Sequence, residues 1–195
     1  MNTTQPSPDV AMPPEDEEAL VRRAQANDRG ARAILVERYW DRVHRWLYHL
    51  CRDPHQADDL TQETFLKALA NLHRFEAGTC LAAWLFRIGH NVATSQIRKP
   101  NRTQPLPAEV VDPGDGPSEQ AAVNELSHRI DDAIARLAPD FRGAFLLRVQ
   151  EGLSFREIAQ VMGLTEETAR WRVFKARQKL LELVGVPGAE EENDS

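Results

Sequence analysis

Hydrophobic positions recur three and four residues apart through most of this chain, a spacing that predicts an all-α fold. A first helix is expected from near Glu15, through Leu20 and Val21, to about Ala26. A second runs from about Gly30 to Cys51, with Val36, Trp40, Val43, Leu47 and Leu50 on its inward stripe. Asp53-Pro54 is an N-cap and first-turn pair that opens a third, whose inward stripe is Phe65, Leu69 and Leu72. A fourth, from about Leu81 to Arg98, buries Leu81, Leu85, Ile88 and Val92. Five prolines and two glycines then make residues 99–118 an irregular linker. Beyond it, a helix from near Glu119 carries Val123, Leu126, Ile130, Ile134 and Leu137. Pro139 opens another through Phe141, Phe145, Leu146 and Val149, ending at Gly152. The pattern therefore divides into two small helical domains, 15–98 and 119–184. A proline-rich extension (1–14), expected to be disordered, precedes them and an acidic tail (185–195) follows.

The last helical stretch has the clearest local signals. Ser154 followed by Glu157 is a capping box, Gly163 supplies the left-handed turn, and Thr165 caps a longer helix. A short helix, a glycine turn and a longer helix is the helix-turn-helix layout. In the longer helix Ala169, Val173, Ala176 and Leu180 form a stripe to be buried. Arg170, Trp171, Phe174 and Lys175 form the opposite stripe. Cations beside large rings suit a DNA groove, with phosphates at the rim and thymine methyls and base edges at the floor.

Two further polar stripes stand out. Asp59, Gln62, Glu63 and Leu66 share one face of the third helix, three polar groups and one exposed leucine. Arg87, Asn91, Thr94 and Arg98 share a face of the fourth, with Trp84 at its edge. No acid occurs from Ala77 to Ala108, so this face is a plausible track for a single strand, with a ring available to stack on unpaired bases.

The formal net charge of −6 at first argues against a nucleic-acid partner. Fourteen of the 30 acids, however, lie within residues 1–20, 109–125 and 190–195, which contain no base. The remainder carries 24 bases against 16 acids, so the foldable parts are basic. No apolar run is long enough to span a bilayer, and the first basic residue is Arg22, which argues against a targeting peptide. Two cysteines give no disulfide framework, and a reduced, cytoplasmic setting is expected. His49, Cys51 and His55 lie close enough in sequence to raise a metal or redox site, although Cys51 also reads as the end of a buried helix. There is no phosphate loop, nucleophile arrangement or metal-protease helix; no cofactor and no enzymatic activity are expected.

At this point both halves resemble one family. A-D-D-L-T-Q-E-T-F-L-K-A-L (57–69) resembles the signature helix of region two of bacterial sigma factors, and W-L-F-R-I-G-H-N-V-A (84–93) the helix after it. Residues 137–164 resemble region four. With these two regions and a short linker, the chain is similar to the extracytoplasmic-function subfamily (group four) of the sigma-70 family. The resemblance implies a protein that binds core RNA polymerase and directs initiation at chosen promoters. It implies that Asp59, Gln62, Glu63 and Leu66 dock on the clamp helices of the largest polymerase subunit, and that region four meets the flap of the second-largest. Trp84, Arg87, Asn91, Thr94 and Arg98, with the 74–80 loop, would hold the unwound minus-ten element. Arg170, Trp171, Phe174 and Lys175 would read the duplex minus-thirty-five element. An anti-sigma factor is an implied partner. Leu81, Ala82 and Ser95 depart from the region-two pattern, and Glu167 and Trp171 from the usual recognition helix, so the promoter sequence does not carry over. A regulatory decoy that binds only an anti-sigma factor, and a stand-alone helix-turn-helix regulator, are the alternatives.

One expectation is testable at this level. Residues 99–118 bury too little to offset ordering entropy, so limited proteolysis should cut there and release two folded pieces. Uniform resistance to protease along this stretch would contradict it.

Overall fold

Asp28 opens the longest helix by accepting a hydrogen bond from the Ala31 amide at 3.1 Å, and Arg52 closes it in the left-handed conformation. The computed structural model describes residues 17–76, 78–97 and 129–184. Its elements are α1 (Glu17–Gln25), α2 (Arg29–Cys51), α3 (Pro54–Asn71), a 3-10 turn (Leu72–Arg74) and α4 (Leu81–Ile97). Then come α5 (129–135), α6 (Pro139–Val149), α7 (Phe155–Met162) and α8 (Glu166–Val184). The N-terminal extension, the linker, Arg98, Val123, Leu126 and the acidic tail lie outside the described residues. Among the described residues there is no strand, and no helix is long and apolar enough to cross a membrane.

The local stop and start signals act as the sequence indicates. Asp53 accepts from the Gln56 amide at 2.9 Å, with Pro54 in the first turn of α3. Both halves of the Ser154/Glu157 capping box form, and Gly163 sits at φ 67°, where only glycine is unstrained. Thr165 accepts from the Thr168 amide at 3.2 Å to open α8.

Burial along α2 differs from expectation. The buried stripe is Leu35, Tyr39, Val43, Trp46 and Leu47, while Val36, Trp40 and Leu50 are only half-buried. The helix is apolar over a wide arc because α1, α3, α4 and α6 all pack against it, so periodicity does not single out its deepest face. Trp46, 1% exposed, meets Phe86 edge-on at 5.3 Å. Ile130 and Val149, placed on inward stripes by periodicity, stand exposed. Five of the six residues from Arg142 to Leu147 are buried, which leaves the end of α6 beyond the core.

The two helical domains also pack on each other, and their buried residues form one cluster. Across their seam the Trp46 indole N–H donates to the Gly143 carbonyl at 3.2 Å. A β-carbon at Gly143 would lie 3.0 Å from Leu50 Cδ2, so a side chain there would force the leucine to give way. Arg42 reaches across to Glu151, its Nε 2.8 Å from Oε2, and the Glu151 side chain is 5% exposed. Arg142, also at the seam and 4% exposed, gives one N–H to the Ala135 carbonyl at 3.0 Å, while its Nε finds no partner in the protein. Burial pushes its pKa down. Further along, α4 packs against α7.

Gly143→Leu therefore overpacks the seam against Leu50 and should cost about 1–3 kcal/mol, seen as a lowered midpoint in thermal unfolding. The same contacts revise the outcome of proteolysis: two pieces generated by a cut in 99–118 should stay associated in gel filtration and separate in the Gly143→Leu variant. Co-elution of the mutant pieces would contradict this role for Gly143.

Candidate nucleic-acid interface

Three surfaces carry the residues singled out from the sequence. On α3, Asp59 and Gln62 are exposed, and Leu66 is 70% exposed, the largest value among the exposed large apolar side chains described. Glu63 is different. Its carboxylate receives Gln96 Nε2 of α4 at 2.8 Å and pairs with Lys67 Nζ at 2.6 Å. It therefore ties α3 to α4 and shapes the stripe as well as lying on it.

The second surface is α4. Trp84 is half-buried and stands edge-on to Phe75 at 5.4 Å. Phe75 is fixed in turn, because Gln25 Nε2 donates to the carbonyls of Leu72 and Phe75 at 3.0 and 2.8 Å. Arg87 and Asn91 are exposed, and Thr94 returns its hydroxyl proton to the His90 carbonyl at 2.8 Å. Arg98 lies outside the described residues. A groove of about 480 Å3 runs past Trp84 and Asn91 and is completed by Lys67, Asn71, Arg74 and Ser95. It contains two cations and no carboxylate, the chemistry expected of a track for a polyanionic strand. Arg74 opens the 74–80 loop already expected at this site, but sequence reasoning missed Lys67 and Asn71 of α3, which only the packing of α3 on α4 brings to Trp84. On the far side of Trp84, a cleft of about 550 Å3 is walled by Arg74 and Arg87 of one half and Arg156 and Gln160 of the other.

The third surface is α8. Ala169 and Ala176 are fully buried and Val173 and Leu180 half-buried, which turns Arg170, Trp171, Phe174 and Lys175 outward. Trp171 and Phe174 are 51% and 52% exposed, unusual for rings of this size unless a partner covers them. Glu167 is exposed near the start of the same helix. Three residues outside α8 join this surface. Phe141 of α6 packs on Trp171 with ring centroids 5.4 Å apart, and Phe155 of α7 carries the guanidinium groups of Arg170 and Arg148 at 5.0 and 4.9 Å. Their spacing relative to α8 gives no hint of this; they meet it only through the turn at Gly163 and the packing of α6 on α8.

The cysteines are free and half-buried, and burial pushes both thiols up. Among the described residues, no three His, Cys, Asp or Glu side chains are grouped to hold a metal ion. The arrangement offers charged and aromatic faces for binding.

Similarity to known proteins follows the same division. Residues 35–103 match the sigma-70 region 2 family model, and residues 127–180 match sigma-70 region 4. The chain is 34% identical to the ECF RNA polymerase sigma-E factor of Haemophilus influenzae over 84% of this chain and 93% of that protein. It is 30% identical to the RNA polymerase sigma-H factor of Pseudomonas aeruginosa, over 85% of this chain and 92% of that one. Among solved structures, the sigma factor RpoE in complex with the anti-sigma factor NepR from Bartonella quintana superposes with a TM-score of 0.64 at 26% identity. The match covers 80% of this chain and 98% of that one. CnrH in complex with the cytosolic domain of CnrY gives 0.63, also at 26%, covering 88% and 99%.

The capping box that starts α7 has a pH signature. Glu157 Oε2 accepts from both the hydroxyl and the amide of Ser154 at 2.7 Å, and these bonds, the hydroxyl's first, hold its carboxyl below the usual range. A depressed carboxylate contributes stability that is complete above the unfolded pKa and lost as pH falls through the folded one. The urea midpoint of the wild type should thus fall more steeply than that of Glu157→Gln as pH drops from about 6 to about 3. Parallel curves would remove the linkage.

Proposed function

The chain belongs to the extracytoplasmic-function branch of the sigma-70 family, and we propose from this how its three surfaces divide the work of promoter-specific initiation. The protein is a sigma factor: it binds core RNA polymerase and directs it to promoters, contributing recognition and no chemistry of its own. The observation that carries the division of labour is the segregation of surface types. One stripe presents acids, an amide and a bare leucine; that of α4 presents a tryptophan with Arg87 and neutral polar groups, and that of α8 cations interleaved with rings.

The α3 stripe is the docking surface for the clamp helices of the largest polymerase subunit. Leu66 is the apolar anchor, Asp59 and Gln62 its polar flank, and Glu63 holds the stripe's shape through Gln96. Anchors of this kind, ringed by polar groups, carry most of an interface's energy. Region four is assigned the contact with the flap of the second-largest subunit. The α4 surface takes the unwound minus-ten strand: Trp84 offers a face for stacking, Asn91 lines the groove beside it, and Arg87 and Thr94 lie on the same helix; the role expected of Arg98 rests on the sequence alone. The α8 surface reads the minus-thirty-five duplex, with Arg170 and Lys175 for guanine edges or phosphates and Trp171 and Phe174 for thymine methyls. An anti-sigma factor is the natural regulator, as the complex of the RpoE relative with the anti-sigma factor NepR suggests. Its site of action is the cytoplasm, where polymerase works.

The assignment of α3 is checked by Asp59→Lys and Leu66→Lys, each combined with promoter-specific transcription on reconstituted holoenzyme. Both substitutions lie on exposed positions and should leave helicity unchanged. Charge reversal against a basic partner can cost several kcal/mol, so core binding and transcript yield should fall together by tenfold or more. Wild-type core binding by both variants would sink the assignment.

A further inference from the structure

The four side chains of the candidate reading stripe on α8 are not held alike. Among the described residues, the ring and polar contacts of Phe174 and Lys175 lie within α8: Lys175 Nζ is 5.7 Å from the Phe174 ring and 3.0 Å from Gln178 Oε1. Arg170 and Trp171 are each braced by a ring from another helix. The Arg170 guanidinium lies 5.0 Å from the centroid of Phe155, at the first position of α7. Trp171 lies 5.4 Å from Phe141, in the first turn of α6. Each brace is itself fixed. Phe155 is half-buried against the core and lies 4.9 Å from a second guanidinium, that of Arg148, which donates to the Leu153 carbonyl at 2.9 Å. Beside Phe141, Asp140 pairs with Arg172 of α8 at 3.0 Å, locking the start of α6 to the recognition helix.

We propose that Phe155 and Phe141 are positioning residues for duplex reading: without touching the bases, they set the orientation in which Arg170 and Trp171 meet them. The inference rests on α8 being the recognition helix. The physical reason lies in what each contact consumes. A guanidinium stacked on a ring engages its face and leaves its five N–H donors free at the edge. Arginine has many rotamers, and a pre-set plane reduces the entropy lost when it forms a bidentate pair with guanine. Among the described residues its other polar partner is Glu166, whose Oε1 is 3.4 Å away on an exposed surface where ion pairs hold weakly. For Trp171 the brace acts through shape. An unsupported indole at this exposure could swing over several rotamers; leaning on Phe141, it presents one edge and one face, which fixes the base-pair position whose methyl group it can meet.

The experiment uses the full-length chain in holoenzyme, selecting from a promoter library randomised in the upstream element. Phe155→Leu keeps apolar bulk but removes the π face. It should lower discrimination at the position read by Arg170 by roughly 2- to 5-fold, the fold-change equivalent of a surface cation–π contact. Phe155→Tyr should restore it, and Phe155→Leu should add nothing in an Arg170→Ala background. Phe141→Leu should alter preference only where Trp171→Ala does, and neither brace should affect positions read by Phe174 or Lys175. A brace that served only the fold would lower thermal stability and yield without changing the selected motif. If Arg170→Ala and Trp171→Ala change the motif while the two brace variants do not, the positioning role is overturned and the recognition helix stands. If Arg170→Ala and Trp171→Ala also leave the motif unaltered, α8 does not read bases and both readings fall.

Discussion

Trp46 donates its indole N–H to the carbonyl of a residue with no side chain, and the arrangement of both halves follows from that contact. The indole is almost fully buried, so its N–H needs a partner; leaving it unpaired would cost about 1–3 kcal/mol. The partner is 97 residues away, at Gly143, where a β-carbon would crowd the Leu50 side chain of α2. Once α6 is seated there, Glu151 comes to Arg42 and α7 comes to α4. Trp84, Arg87 and the start of the helix-turn-helix then line a single cleft.

The same packing gives the surfaces their contrast. The four residues that read as a DNA-facing stripe on α8 are outward because two alanines, Ala169 and Ala176, let that helix settle closely on its neighbours. On α3, Thr61 and Thr64 are fully buried, yet neither disrupts the core, because each hydroxyl returns its proton to a carbonyl four residues back, at 2.7 and 2.6 Å. Polar side chains thus turn inward without leaving a donor unmet, and Leu66 turns outward.

Features governed by neighbours in sequence were legible before any coordinates. The capping box at Ser154, the Asp53-Pro54 start, the glycine turn at 163 and the outward face of α8 all depend on residues within one or two turns. What sequence spacing could not supply was the choice among apolar faces. Val149 and Ile130 fit an inward stripe as well as Leu146 and Ile134 do, and only the packing of the other half decides between them. Trp46 and Arg142 escaped notice for the same reason: their burial is imposed by residues some ninety positions away. The surfaces show the same division. The stripe of α4 was visible because it repeats every turn; Lys67 and Asn71, which complete its groove, were not, since they lie on a different element. The family resemblance supplied roles for the stripes, but the contacts of Phe155 and Phe141 with the recognition helix are visible only in three dimensions.

The shared seam bears on how such proteins could be recombined. A helix-turn-helix is often regarded as a cassette, exchangeable between scaffolds to redirect specificity. Here residues 139–184 carry half of a matched lock: Gly143 and Glu151 are shaped and charged for Trp46 and Arg42. A foreign cassette with a larger residue at 143 would collide with Leu50, and one lacking the acid at 151 would leave the Arg42 guanidinium without its partner. Chimeras of this chain would therefore need to carry α2 and α6 as a pair, even though more than ninety residues of sequence separate the contacts between them.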